Sequence, residues 1–124
     1  MALIPVVGCK DLRKSVDFYT KVLDFSRTSN ADPGEEYVVT LYRNGDELIL
    51  TKENAGERTL VVVMTTDVDA DFRRFRARGL KTPGNPEAPQ LVHEGPLNQT
   101  WGTREFYVED LDGNTLRFTQ NLEA

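Results

Sequence analysis

Residues 101–119, WGTREFYVEDLDGNTLRFT, decide the fold, because they predict a β-hairpin. One apolar run ends at Tyr107 and Val108, and another begins at Leu116. Asp112 and Gly113 lie between the two runs. Asp-Gly is a favoured two-residue hairpin turn, because such a turn needs φ > 0 at both central residues. We therefore predict two antiparallel strands joined at this dipeptide.

The chain contains a second version of this hairpin. Residues 37–42 form a β-prone run, Asn44 and Gly45 form a turn, and residues 46–51 form the return strand. When the two turn glycines are aligned, GDELILT (45–51) matches GNTLRFT (113–119). We therefore predict that the chain holds two copies of one structural module.

Each copy starts with an apolar run and a helix. Residues 2–7 and 59–65 predict strands, and Asp11 and Asp67 are the predicted N-caps of the two helices. The second apolar run does not alternate, so we expect a strand covered on both faces. Residues 81–100 contain four prolines, so we expect little regular structure there beyond a short strand at Leu91 and Val92.

These elements predict an α+β fold of two βαβββ modules. The modules would form a curved mixed sheet around a cleft, with the helices on its outer face. We expect one domain over residues 1–124, with module one at about 1–52 and module two at about 58–121.

Composition narrows the class of protein. The 124 residues carry a formal net charge of −5, which argues against nucleic acid or an anionic membrane as the main partner. The single cysteine, Cys9, excludes an internal disulfide and favours a cytoplasmic location. No apolar run approaches the ~20 residues of a membrane span, and we expect no signal peptide.

Two motifs carry a resemblance to a known family. The first is Asp11-Leu12 followed by SVDFY (15–19) and VLDF (22–25), and the second is WG-x-REF-x(5)-DGN over residues 101–114. Together they resemble the glyoxalase/bleomycin-resistance/dioxygenase superfamily, the vicinal oxygen chelate fold. The second motif is most similar to the bleomycin-resistance proteins. That resemblance implies a dimer with exchanged strands or modules and drug-binding clefts between subunits.

The resemblance also implies where a metal would bind. Enzymes of the superfamily hold a divalent cation with His, Glu or Gln, one from each of four strands. The matching positions here are Ile4, Ile49, Arg117 and either Leu60 or Val61. None is a usable ligand, and the only histidine, His93, lies in the proline-rich segment. We therefore predict no metal and no other cofactor.

Strand alternation selects candidate ligand-binding residues. If the Leu and Phe side chains of the return strands pack under the helices, Ile49 and Arg117 point into the cleft. Glu105 or Glu47 could neutralise Arg117, and a purely structural ion pair is the alternative role for that arginine. Trp101 would line the cleft near Tyr37 or Tyr42, with core packing as its alternative. The full predicted set is Trp101, Arg117, Tyr37, Tyr42, Ile49, Glu105 and Tyr107.

These features favour a metal-independent protein that binds a small aromatic molecule, a cationic one being compatible with the acidic composition. It would confer antibiotic resistance by capturing a drug, as a cytoplasmic homodimer, and no residue is assigned a catalytic role. The alternative is a glyoxalase- or dioxygenase-like metalloenzyme with ligands displaced to Glu36, Glu47, Glu105 and His93. A non-catalytic domain that binds another protein is a third interpretation.

Overall fold

The computed structural model describes residues 3–80 and 95–122. The predicted α+β class and the two-module arrangement are confirmed: these two described ranges contain two α-helices and two mixed sheets, of three and four strands. The predicted strand at Leu91 and Val92, and His93, lie outside the described residues. In chain order the elements are β1 (Val6–Gly8), α1 (Leu12–Lys21), a short 3-10 helix (Pro33–Glu35), β2 (Val38–Arg43), β3 (Asp46–Thr51), β4 (Leu60–Met64), α2 (Val68–Ala77), β5 (Leu97–Asn98), β6 (Thr103–Glu109) and β7 (Thr115–Asn121).

The chain divides into two compact units. The first comprises Met1–Thr59 and Asp110–Asn114, and the second comprises Leu60–Glu109 and Thr115–Ala124. The first unit therefore includes the turn between β6 and β7, although both of those strands belong to the second unit. Among the described residues, no helix is long and apolar enough to cross a bilayer.

The first unit contains a three-stranded sheet in the order β1-β3-β2. Strand β1 is parallel to β3, and β2 is antiparallel to β3. The β2–β3 turn has φ of 51° at Asn44 and 85° at Gly45, so the predicted two-residue turn is confirmed. The second strand of the expected βαβββ order is reduced to an isolated bridge between Ser26 and Tyr42.

Helix α1 begins where the sequence predicts. The Asp11 carboxylate accepts a hydrogen bond from the backbone N–H of Lys14 at 3.1 Å, which satisfies one of the free amides of the first turn. The buried side chains of α1 and of the sheet form the core of this unit. Those chains are Leu12, Val16 and Tyr19 of the helix and Val7, Val39, Leu41, Leu48 and Leu50 of the strands.

The second unit contains a four-stranded sheet in the order β4-β7-β6-β5, in which β4 is parallel to β7. Helix α2 covers one face of it with Phe75, whose ring packs edge-on against Phe118 at 5.1 Å between centroids. Phe106 and Phe118 stack across β6 and β7, also at 5.1 Å. Gly79, at φ 103°, ends the helix, since the N–H of Leu80 then reaches the carbonyl of Phe75.

The prediction of a two-residue turn at Asp112 and Gly113 is wrong in its loop length. Only Gly113 has positive φ, and the N–H of Asp110 bonds the carbonyl of Asn114, which leaves a three-residue loop. The Asp110 carboxylate explains the longer loop, because it accepts from the backbone N–H groups of both Asp112 and Asn114 at 2.9 Å.

The prediction that β4 is covered on both faces is also wrong for the single chain. Leu60, Val62 and Met64 are between 43% and 58% exposed, while Val61 and Val63 are half-buried. The strand lies at the edge of its sheet and pairs only with β7 among the described residues. Its apolar run therefore reflects one face packed toward α2 and a second apolar face that stays largely exposed at Leu60, Val62 and Met64.

A buried hydrogen bond in the first unit provides a stability test. The Tyr19 hydroxyl donates to Asp110 Oδ2 at 2.6 Å, and burial together with the Asp110 charge raises the pKa of this phenol. We expect Tyr19→Phe to lower the free energy of unfolding by ~1.5–3 kcal/mol, since a hydrogen bond to a charged group is lost. Urea denaturation would measure the loss.

Tyr37→Phe is the matched control, because Tyr37 is 67% exposed. Its effect should stay within ~0.5 kcal/mol. Equal effects of the two substitutions would contradict a stabilising role for the Tyr19 hydroxyl.

Burial of Cys9 predicts a pH dependence. The thiol is fully buried, and burial is the main reason that its pKa rises from 9.0 to about 11. Over that pH interval the unfolded chain loses a proton that the native state keeps, so stability falls as the pH rises and is unaffected below it. We expect wild type to lose up to ~1.4 kcal/mol per pH unit relative to Cys9→Ala. Denaturant unfolding at successive alkaline pH values measures the free energy of unfolding of both proteins. The same pH dependence in wild type and Cys9→Ala would contradict the prediction.

Candidate functional site

The four-stranded sheet has one face that no described helix covers, which we call the helix-free face of the second unit. Directly paired residues project their side chains to the same side of a sheet. Arg117 of β7 is paired with Val62 of β4 and with Tyr107 of β6. Glu105 is paired with Thr119 in the next row. Phe106 and Phe118 alternate with these residues and pack toward α2, so Arg117, Tyr107 and Glu105 share the helix-free face.

Glu105 is the centre of a polar cluster on this face. Its side chain is 0% exposed. Oε1 accepts from the Thr103 hydroxyl at 2.8 Å and from Trp101 Nε1 at 3.3 Å, while Oε2 accepts from the Tyr107 hydroxyl at 3.2 Å. A buried carboxylate is costly unless hydrogen bonds replace its hydration. Three neutral donors supply that replacement here.

Arg117 completes the cluster. Its Nε lies 3.5 Å from Glu105 Oε1, so the ion pair considered for Arg117 is present. The contact lacks hydrogen-bond geometry, and the buried Nε has no hydrogen-bond partner among the described residues. The side chain of Arg117 is 28% exposed, so solvent reaches part of it.

Tyr107 keeps its proton in this cluster. Burial raises the pKa of the phenol, and the negative charge and hydrogen bond of Glu105 raise it further. The guanidinium of Arg117 opposes this rise only in part. The hydroxyl therefore remains a donor to Glu105 at neutral pH.

Trp101 lies at the edge of the helix-free face. It belongs to the turn between β5 and β6, which closes by a hydrogen bond from the N–H of Gly102 to the carbonyl of Gln99. Gly102 has φ of 91°, a conformation that favours glycine. The Trp101 side chain is 59% exposed, so the alternative of core packing does not apply. Its N–H is held by Glu105 while much of its ring remains accessible.

The structure brings together four of the seven predicted residues: Trp101, Glu105, Tyr107 and Arg117. The other three lie in the first unit. Ile49 is paired with Val6 and Thr40 on the face opposite to the buried Leu48 and Leu50, and Tyr42 is paired with Glu47 on that same face. Tyr37 immediately precedes β2 and is exposed.

The residues at the expected metal positions do not fit a divalent cation. Leu60, and not Val61, lies on the helix-free face, because Val61 is paired with the buried Leu116. Leu60 and Ile49 offer no lone pair, and Arg117 would repel a cation. Within residues 3–80 and 95–122, no three His, Cys, Asp or Glu side chains come together in a possible metal site.

The sequence analysis did not identify Thr103 as a hydrogen-bond donor to the Glu105 carboxylate. Strand alternation contained the signal, since Thr103 lies two residues before Glu105 on β6 and must share its face. It also missed a surface groove of about 470 Å³ at the carboxyl ends of β4 and β7. The groove is lined by Met64, Thr65, Thr66, Gln120, Asn121 and Leu122, none of which is in the predicted set.

Solved structures share this fold over nearly the whole chain. The bleomycin resistance determinant encoded on the transposon Tn5 has a TM-score of 0.78 at 18% identity, covering 98% of both chains. The bleomycin-binding protein from the bleomycin-producing Streptomyces verticillus, complexed with copper(II)-bleomycin, has a TM-score of 0.73 at 19% identity, covering 100% of this chain and 97% of that one. TioX from Micromonospora sp. ML1 has a TM-score of 0.73 at 21% identity, covering 98% of this chain and 99% of that one.

At these identities the structural matches establish the fold alone. No curated protein sequence matches the chain. The family model described as Glyoxalase/Bleomycin resistance protein/Dioxygenase superfamily matches residues 4–118. With that model covering nearly every described residue, the chain belongs to the glyoxalase/bleomycin resistance protein/dioxygenase superfamily.

Proposed function

We propose that this protein binds a small aromatic molecule without a metal and acts by capturing it, as a drug-sequestering protein of the bleomycin-resistance type. The observation that carries this proposal is the Trp101 side chain. It is largely exposed, yet its N–H is fixed by a buried carboxylate. An exposed aromatic ring held in one orientation is a stacking surface that loses little conformational entropy when a ligand binds.

The structural relatives support the binding of a small molecule. Two of them are named for bleomycin resistance or bleomycin binding, and one is in complex with copper(II)-bleomycin. Their low identity leaves the ligand of this chain open. Sequestration of a drug, and hence antibiotic resistance, is therefore our proposal for the class of function.

The hydrogen bonds of Glu105 favour a binding function over a metal-dependent reaction. Glu105 is one of the four displaced ligands of the metalloenzyme alternative, and its oxygens already accept three hydrogen bonds from neutral donors and face Arg117. Recruiting it to a cation would break those contacts. Near-stoichiometric zinc, nickel, iron or manganese in protein purified without chelator would contradict the metal-independent function.

We further propose one cytoplasmic domain with module boundaries near residues 52 and 58, assembled as a homodimer. The exposed apolar side chains of β4 support self-association. Leu60, Val62 and Met64 stand in a row on the open face of an edge strand. Exposed strand edges invite pairing with another chain, and contiguous apolar surface favours burial.

Replacement of Trp101 tests the binding proposal. Trp101→Ala should weaken binding of aromatic drugs, bleomycin included, by ~1–3 kcal/mol, because a stacking surface is lost. Isothermal titration calorimetry measures this directly. Since Trp101 is the only tryptophan, ligand binding to wild type should also quench or shift its fluorescence.

Leu111→Ala is the control for this experiment. Leu111 is 58% exposed, nearly the same as Trp101, and lies in the β6–β7 turn outside the proposed site. It should leave binding unchanged. No heat with any aromatic drug at high micromolar concentration, or equal losses in the two variants, would contradict the proposed site.

The dimer is tested by analytical ultracentrifugation. Wild type at micromolar concentration should sediment as a species of twice the 14.0 kDa chain mass. Val62→Lys should shift the equilibrium toward monomer, because it places a charge in the apolar row. A purely monomeric wild type would contradict the proposal.

A further inference from the structure

We infer that the ligand presents an anionic group of the carboxylate type to Arg117 while its aromatic part rests on Trp101. This inference rests on the proposed function, and it adds the chemistry that selects among aromatic ligands. It reverses the sign of charge that the acidic composition favours.

The charge of Glu105 is not available to a ligand. Its side chain is completely buried, and both oxygens accept hydrogen bonds from Thr103, Trp101 or Tyr107. A cationic group on a ligand would have to displace these donors to reach the carboxylate. The displaced donor groups would then be buried without a hydrogen-bond partner, and this cost would exceed the gain from the new ion pair.

The charge of Arg117 is only partly compensated. Its described ion pair with Glu105 is long, at 3.5 Å, and lacks hydrogen-bond geometry, whereas charge-assisted N–H···O bonds are typically ~2.7–2.9 Å. The same carboxylate already has three shorter contacts with neutral donors. The guanidinium also interacts with the Tyr107 hydroxyl. It has five N–H donors, more than these two partners use, so it retains donor capacity for an incoming carboxylate, which its planar group can bind through two N–H groups.

A second carboxylate on this face, that of Glu109, does not make the charge at the site negative. Glu109 is paired with Thr115, one row along the sheet from the Tyr107–Arg117 row. Among the described ion pairs, Arg117 is joined to Glu105 and not to Glu109. The net charge of −5 is spread over the whole chain and is screened beyond ~8–10 Å at ordinary salt. At the site itself the accessible charge is therefore positive.

Trp101 and Arg117 are close enough to bind one small ligand. Trp101 Nε1 and Arg117 Nε both contact the same oxygen, Glu105 Oε1. Glu105 thereby positions an aromatic surface beside a cation. The complementary ligand is a flat ring with an acidic substituent attached directly or through a short linker.

Three probes of the same shape test the sign of the charge. Titration calorimetry would compare 2-naphthoate, 2-naphthamide and 2-naphthylmethylammonium on the wild-type protein. We expect the carboxylate to bind roughly tenfold more tightly than the amide and the ammonium to bind most weakly. Added salt should narrow the difference, because part of Arg117 is exposed to solvent.

Variants of Arg117 connect this preference to the guanidinium. Arg117→Gln should remove the difference between carboxylate and amide, and Arg117→Lys should keep the order at reduced strength, since the charge remains but the fork is lost. Arg104→Gln is the matched control, because Arg104 on β6 faces the other side of the sheet and pairs with Asp69 of α2. It should leave the order of the three probes unchanged.

The outcomes separate this inference from the proposed function. Equal binding of the three probes, or tightest binding of the ammonium, would overturn the inference while small-molecule binding stands. Absence of binding by all three probes and by aromatic drugs would overturn both. If Arg117→Gln does not fold, the affinities of the three probes for wild type and for Arg117→Lys decide. If Arg117→Lys keeps the full difference in affinity between carboxylate and amide, the role of the planar guanidinium is overturned.

Discussion

The first unit depends on one buried carboxylate, that of Asp110. Its oxygens accept four hydrogen bonds, from the Tyr19 hydroxyl, the Asn114 amide group and the backbone N–H groups of Asp112 and Asn114. Asn114 extends the network by donating to the carbonyl of Gly8 and accepting from the N–H of Thr59. Helix α1, the end of β1, the approach to β4 and the β6–β7 turn therefore meet at one charge. A buried anion is tolerable only with such complete hydrogen bonding, so each donor contributes to the stability of the others.

Strand alternation then divides each sheet into a face that packs against a helix and a face that no described helix covers. On β7, Leu116 and Phe118 are fully buried against the α2 side, while Arg117 between them projects to the helix-free face. On β3, Leu48 and Leu50 are buried and Ile49 is half-buried on the opposite face. Because the period of a strand is two residues, the packing of the leucines and phenylalanine fixes where the intervening side chains lie. The same residues that form the core thus position the candidate site.

The helices, the first hairpin and the face of Arg117 could be predicted because each depends on local chemistry. An N-cap aspartate, an Asn-Gly turn and alternating apolar residues act within a few positions of sequence. The failures have non-local causes. The loop at Asp110 is lengthened by that side chain, and the two-residue strand at Leu97 and Asn98 exists only through pairing with β6. Val62 is exposed because β4 lies at the edge of its sheet. An apolar sequence alone does not show whether another element covers such a strand.

Asp110 and Glu105 are both buried carboxylates stabilised by hydrogen bonds, but only Glu105, in the candidate site, also has a neighbouring cation. Both carboxylates accept hydrogen bonds from neutral groups, and those of Asp110 are complete within the first unit. Glu105 has in addition a cation, Arg117, that it does not hydrogen-bond. An arginine required only to neutralise Glu105 would be expected to form a short paired contact, since that geometry is the most stabilising. The long contact between Arg117 and Glu105 agrees with the ligand-binding role that we propose for this arginine.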